Sequence, residues 1–229
     1  MKTPLVLLSG LLSNEILWRH QTRHLSDGAS IHVISPSQNT QEKMVQAILE
    51  GAPPKFALAG HSMGGWLALE VMRVAPERIT QLCLLNTTSR MDSEEKRIRR
   101  QKMILQAEQN QFEEIVKMVV EHFVFNPLVK KDVEKMFLSV GKEAFIRQQT
   151  AMLHRSDCQP ILPTISCPTW VIYAAQDKNF SLEEHRELAQ QIPHAKLAIV
   201  EDSGHMSPIE MPQAITALLR LWLSDGSKP

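Results

Sequence analysis

Cysteine, unbalanced charge and long apolar runs are all scarce in this chain, and each scarcity closes off a class of protein. Its three cysteines, Cys83, Cys158 and Cys167, are too few and too irregularly spaced for a disulfide scaffold or a zinc motif. Two of them fall in apolar runs, so they read as reduced structural thiols in a cytoplasmic protein. Lys plus Arg number 25, as do Asp plus Glu, so no overall basic field draws nucleic acid or an anionic membrane. No stretch approaches the ~20 apolar residues of a membrane-spanning helix. The run from Pro4 to Leu12 after Met1-Lys2-Thr3 imitates a signal peptide, but it is short and no small-x-small cleavage pattern follows it. No His/Cys/Asp cluster has metal-ligand spacing and no glycine-rich phosphate loop occurs, so neither a metal nor a cofactor is expected.

What is present is enough for one substantial core: 229 residues, 43% of them hydrophobic. Residues 5–8 form a continuous apolar run that suits a strand buried on both faces of a parallel sheet. Ser13 or Asn14 caps a helix to about residue 24, and residues 30–35 form a second strand ended by Pro36. Thr40 opens a helix with Met44, Val45, Ile48 and Leu49 on one side. A third strand leads through residues 55–59 into Gly60-His61-Ser62-Met63-Gly64-Gly65, and a mostly apolar helix follows to about Val74. Residues 79–85 make another strand. Strand and helix alternate, which argues for a parallel sheet with helices on both faces.

The alternation stops between residues 88 and 153, where no good strand occurs. Four helices are expected there, at about 92–109, 112–123, 130–138 and 142–153. Strand residues 168–175 and 196–200 then resume the pattern, with a capping box at Ser181-Leu182-Glu183-Glu184 and a last amphipathic helix from Pro212. The expected organisation is a core of residues 1–87 and 154–229 carrying a helical cap insert of 88–153.

Three chemically distinct groups fall at the C-terminal ends of predicted strands, where open α/β sheets hold their ligands: Ser62, Asp177 and His205. The Gly-x-Ser-x-Gly turn between strand and helix forces its serine into a strained, exposed conformation, a nucleophile elbow. A serine hydroxyl is a poor nucleophile at neutral pH until an imidazole takes its proton, and a carboxylate on the far ring nitrogen fixes the tautomer. The chain order Ser, Asp, His agrees with this architecture.

These residues, with Arg155-Ser156-Asp157, Ile165-Ser166-Cys167-Pro168-Thr169 and Ser203-Gly204-His205 followed by Glu210 and Pro212, resemble the α/β-hydrolase superfamily over nearly the whole chain, specifically its small cap-bearing esterases. The resemblance implies Ser62 as nucleophile, His205 as base and then acid, and Asp177 as orienting acid. It also implies a small sheet of about six strands, because the chain begins at what corresponds to the family's third strand, so that the first hairpin is missing. For the oxyanion hole, the backbone N–H of Met63 is one donor. Ser9-Gly10-Leu11 occupies the place of the family's His-Gly-x turn, which makes the N–H of Leu11 the other, with Ser9 replacing the usual histidine. The implied reaction is hydrolysis of a small or medium carboxylic ester or thioester through an acyl-enzyme, without a cofactor. Alternatives on the same triad are C–C bond hydrolysis, cofactor-free perhydrolysis and lyase chemistry; a non-catalytic small-ligand-binding protein of this fold is the alternative of a different class. Acyl and leaving-group specificity and oligomeric state lie beyond the sequence.

Blander roles fit the remaining candidates. His61 reads as an elbow or pocket-wall residue, Asp202 as an alternative acid on the histidine loop, and Glu210 as a brace for that loop. Trp18, Trp66 and Trp170 read as core. The charged runs Glu94-Glu95-Lys96-Arg97 and Arg99-Arg100 read most simply as a solvated helix face, with anion binding as the alternative. Met103, Met118, Met136 and Met152 are candidates for an adaptable pocket lining or for ordinary packing.

Overall fold

The computed structural model describes residues 2–225; the ends of the expected core at residues 1 and 226–229 lie outside the described residues. Strands β1 (Thr3–Leu8), β2 (Ala29–Ile34), β3 (Phe56–His61), β4 (Ile79–Leu85), β5 (Thr169–Ala174) and β6 (Lys196–Val200) form one sheet in the order β2-β1-β3-β4-β5-β6. Every neighbouring pair is parallel. Side chains alternate across it: Leu5, Leu7, Ala57, Ala59, Cys83 and Leu85 face one apolar layer, and Val6, Leu8, Phe56, Leu58, Leu82 and Leu84 face the other. Burial on both faces is why these strands read as unbroken apolar runs.

Helices α1 (Arg19–Leu25), α2 (Gln41–Gly51) and α3 (Met63–Val74) fill the first half, and α4 (Glu94–Glu108), α5 (Phe112–Phe123), α6 (Lys130–Val140) and α7 (Lys142–Leu153) lie between β4 and β5. The chain closes with α8 (Leu182–Gln191), the one-turn α9 (Ser207–Glu210) and α10 (Pro212–Asp225). α1 packs on α10 beneath one face of the sheet, while α2, α3 and α8 cover the other. The residues of α3 are buried from Met63 to Met72 without a break, and all are apolar or glycine except Glu70, whose carboxylate pairs with Arg73. Apolar residues of the four inserted helices, among them Phe112, Val116, Phe137 and Phe145, join the same contiguous cluster as Leu5, Leu7 and Trp18. The insert therefore shares the core instead of building its own.

Element positions follow the sequence closely, with local differences. The expected first helix is split: Asn14 caps a 3-10 turn, Glu15–Trp18, before α1 begins. Helix α4 starts at Glu94 because Ser93 caps it, its side chain accepting from the Lys96 N–H; this leaves Asp92 in the preceding loop. Ser181 and Glu184 form the reciprocal capping box on α8. Trp18 and Trp66 are fully buried, whereas Trp170 is only partly so, its indole N–H reaching Asp225 at 2.8 Å. The three cysteines are free thiols among the described residues, and burial pushes those of Cys83 and Cys158 up, out of the reactive range.

Candidate active site

The turn between β3 and α3 is possible only because side chains are missing from it. A Cβ on Gly60 stands 2.2 Å from the Gly64 carbonyl oxygen, and one on Gly64 stands 2.5 Å from that of Leu8. Both are glycine because backbone passes against backbone. Ser62, between them, adopts φ 56° and ψ −116°, a strained conformation for an L-residue. Hydrogen bonds to its backbone hold it there: its N–H donates to Leu85 O at 2.9 Å, and its carbonyl accepts from the Gly65 N–H at 2.9 Å, the Trp66 N–H at 3.2 Å and the Thr87 hydroxyl at 2.7 Å. Met63 begins α3, so its N–H belongs to the helix's open N-terminal turn.

His205 is presented by the loop after β6. Its Nε2 lies 2.8 Å from Ser62 Oγ and its Nδ1 lies 2.8 Å from Asp177 Oδ2. A carboxylate accepts only, so the proton sits on Nδ1 and leaves the Nε2 lone pair facing the serine hydroxyl. Burial alone raises the Asp177 carboxyl. The opposing pull of the His205 imidazole, with hydrogen bonds from His205, Asn179 and Asn86, outweighs it and holds the group at about 2. Asp177 Oδ1 accepts from the Asn179 N–H at 2.8 Å, and Oδ2 accepts a second bond from Asn86 Nδ2 at 2.9 Å. The geometry thus joins Ser62, His205 and Asp177 in one relay, while Asp202 sits exposed on its loop.

Other residues hold this relay in place. His61 donates from Nε2 to the His205 carbonyl at 2.7 Å, which fixes its tautomer because a carbonyl cannot donate. Its Nδ1 is buried without a hydrogen-bond partner among the described residues, and burial, then the neighbouring His205, lowers the ring to about 3, so it stays neutral. It clamps the elbow to the histidine loop and is absent from the pocket lining. Glu210 accepts four backbone N–H groups: Phe125 at 2.8 Å, Asn126 at 2.9 Å, Gly204 at 3.1 Å and Met206 at 3.0 Å. The expected brace therefore binds the segment just after α5 as well as the histidine loop, and the His205 N–H adds a bond to Phe123 O, at the end of α5, at 2.8 Å. Asn86 escaped notice in the sequence. It follows β4 directly, at the same sheet edge as Ser62, and its Oδ1 accepts from the Ser207 hydroxyl at 2.7 Å.

A pocket of about 120 Å³ opens over Ser62 and His205, and both Leu11 and Met63 line it. Ser9, in the position of the family's histidine, is fully buried and ties the turn through its N–H to Ile34 O at 3.0 Å and its hydroxyl to Asn14 O at 3.3 Å. Met103, Val119, Phe123 and Met152 supply apolar wall. Met118 is exposed and Met136 packs in the core, so two of the four candidate methionines reach the pocket.

Reading the charged runs as a solvated face holds for Glu94 to Arg97 and for Arg99, which are exposed, and fails for Arg100, which turns inward. Lys96, Arg99 and Arg100 line the pocket mouth and wall, together with Asp92, Gln149 and Arg155. Asp92 is buried and draws two guanidiniums inward: Arg155 Nη2 donates to it at 2.8 Å and Arg100 Nε donates to its Oδ2. Burial pulls the Arg155 guanidinium down to about 10, with Asp92 opposing that and Arg100 adding to it, so Arg155 remains charged at neutral pH. Among the described residues no group of three or more His, Cys, Asp or Glu side chains is placed to hold a metal ion.

The sequence profile of the Alpha/beta hydrolase family matches residues 5–218. The chain belongs to this family. The hydrolase is 23% identical over 220 residues to the pimeloyl-[acyl-carrier protein] methyl ester esterase of Vibrio parahaemolyticus, covering 88% of this chain and 86% of that one. It is 27% identical to 3-oxoadipate enol-lactonase 2 of Acinetobacter baylyi, over 92% of this chain and 84% of that one. Among solved structures it superposes on a thermophilic esterase from Thermogutta terrifontis with a TM-score of 0.91 and 27% identity, covering 100% of this chain and 92% of that one.

Proposed function

We propose that this hydrolase cleaves carboxylic esters or thioesters through an acyl-enzyme. The observation that carries the reading is the pair of 2.8 Å contacts linking Ser62 Oγ, the His205 ring and Asp177. Ser62 Oγ attacks the carbonyl carbon as its proton passes to His205 Nε2, and Asp177 stabilises the imidazolium. The N–H groups of Met63 and Leu11 receive the developing oxyanion, an interaction whose loss typically costs ~2.7–4 kcal/mol of transition-state stabilisation. His205 then gives the proton to the leaving oxygen or sulfur. A water molecule, deprotonated by the same Nε2, attacks the acyl-enzyme, releasing the acid and restoring Ser62. Each step is complete with protein groups and water.

Residues 88–153 are taken as a cap over a core of residues 1–87 and 154–229. Its helices supply the pocket wall opposite Ser62, which supports a role in choosing substrate. The relatives named as esterases and an enol-lactonase support ester bonds over the C–C hydrolase, perhydrolase and lyase alternatives. The intact relay supports turnover over ligand binding alone. A small-molecule substrate follows from the pocket, and no helix among the described residues is long and apolar enough to cross a membrane. Three free thiols support a cytoplasmic setting. Replacing Ser62 by Ala is expected to abolish turnover of p-nitrophenyl butyrate without lowering the melting temperature; retained turnover sinks the reading.

A further inference from the structure

The buried charges on the cap wall form a hydrogen-bonded chain that ends in two empty donors. Asp92 and Arg155 have side chains only 1% and 6% exposed. Asp92 accepts from Arg155 Nη2 and from Arg100, and Arg100 Nη1 donates to Gln149 Oε1 at 2.7 Å. A guanidinium has no acceptor, so the Gln149 oxygen must face it and the amide nitrogen must turn away. That nitrogen, Gln149 Nε2, is buried without a hydrogen-bond partner among the described residues, and so is Arg155 Nε. Both residues line the pocket that holds Ser62 and His205. Two buried donors left empty are unfavourable, and two guanidiniums facing one carboxylate leave one positive charge uncompensated.

We propose that this wall is a subsite for a carboxylate on the substrate, so that the preferred ester is a half-ester of a short dicarboxylic acid. The inference rests on the serine-hydrolase reading. A carboxylate matches what is missing: it is a planar acceptor able to take two donors at once, and as a monoanion it balances the single excess charge. Lys96 and Arg99, exposed at the pocket rim, add positive charge along the approach. The wall thus selects for an acid group while Ser62 acts on the ester at the other end.

The test compares monomethyl succinate, glutarate, adipate and pimelate with methyl esters of monoacids of matched chain length. At one or more lengths, kcat/KM is expected to favour the half-ester at least tenfold. Gln149→Glu keeps an acceptor for Arg100 but turns the empty donor into an oxygen, and it is expected to reduce that preference at least tenfold. No preference at any length, or a preference untouched by Gln149→Glu, overturns the subsite. A second measurement avoids dependence on turnover or on folding of the Gln149 variant: calorimetric titration of Ser62→Ala protein with glutarate and adipate, the acids such half-esters would release. Binding of either supports the subsite. Binding of neither, or of inorganic phosphate in their place, overturns it. Dicarboxylate binding by a wild-type protein that no fluorophosphonate labels would overturn the hydrolase reading and keep the subsite.

Discussion

The elbow and the wall carried by α4 and α7, which we propose to be the cap wall, face each other across one small pocket, and they are built on opposite principles. The elbow is held mainly by backbone: glycines at contact distance, a serine at φ 56°, and bonds from its main chain to that of β4 and to the Thr87 hydroxyl. The cap wall is held by side chains, through a buried carboxylate with two guanidiniums and an amide between α4 and α7. Backbone construction fixes one geometry and hence one chemistry. Side-chain construction can be changed residue by residue, which is how a shared fold comes to accept different substrates.

The comparison breaks first, and most heavily, at the elbow. Ser62→Ala or His205→Ala should lower kcat for an activated ester by at least about 10⁴-fold while leaving the fold intact, measured by steady-state kinetics beside a thermal melt. On the cap wall the largest effect falls on stability. Asp92→Ala strands Arg155 as a buried, unpaired charge and should cost about 3–5 kcal/mol in urea unfolding, whereas Asp92→Leu combined with Arg155→Met should recover much of that loss. A double variant no more stable than Asp92→Ala would show that the loss does not come from stranding Arg155.

Glu210 joins the two regions, so its effect should fall between theirs. Glu210→Gln keeps the shape but turns an N–H₂ group toward backbone N–H donors, and should cost about 1–3 kcal/mol with a fall in kcat as the histidine loop loosens. An unchanged kcat would separate the brace from the chemistry. The last effect concerns His61 and shows only in acid. Its ring is held near 3 in the folded protein, below its ordinary value of 6.5, so the unfolded chain binds the extra proton. The stability this contributes is complete above about pH 6.5 and is lost as pH falls toward 3, at a rate on the order of 1 kcal/mol per pH unit. His61→Gln should flatten that acid slope in denaturant titrations between pH 6.5 and 4.5; an identical slope would assign it elsewhere.

The same contrast explains what was legible in the sequence. Ser62, Asp177 and His205 could be read because each ends a strand in a local pattern of recognisable spacing, and the strands themselves are runs that only double-sided burial requires. The Glu210 brace was legible from its place after the histidine. Asn86 carried the signal of position, directly after β4, but an asparagine at a strand end is ordinarily a turn residue and nothing nearby marks it as a partner for Asp177. The charged run at Arg99-Arg100 could not be resolved. A polar helix looks alike whether its cations meet water or a buried carboxylate, and the deciding residues, Asp92, Gln149 and Arg155, meet only when α4 and α7 pack together. Helix boundaries differed where capping decided them, as Ser93 does for α4.

The central claim is that Ser62 carries the acyl group, and intact-protein mass spectrometry after reaction with a fluorophosphonate tests it most directly. The account predicts one adduct per chain, mapped to Ser62 by peptide sequencing and absent from Ser62→Ala. An adduct on any other residue, or one that persists in Ser62→Ala, would contradict it.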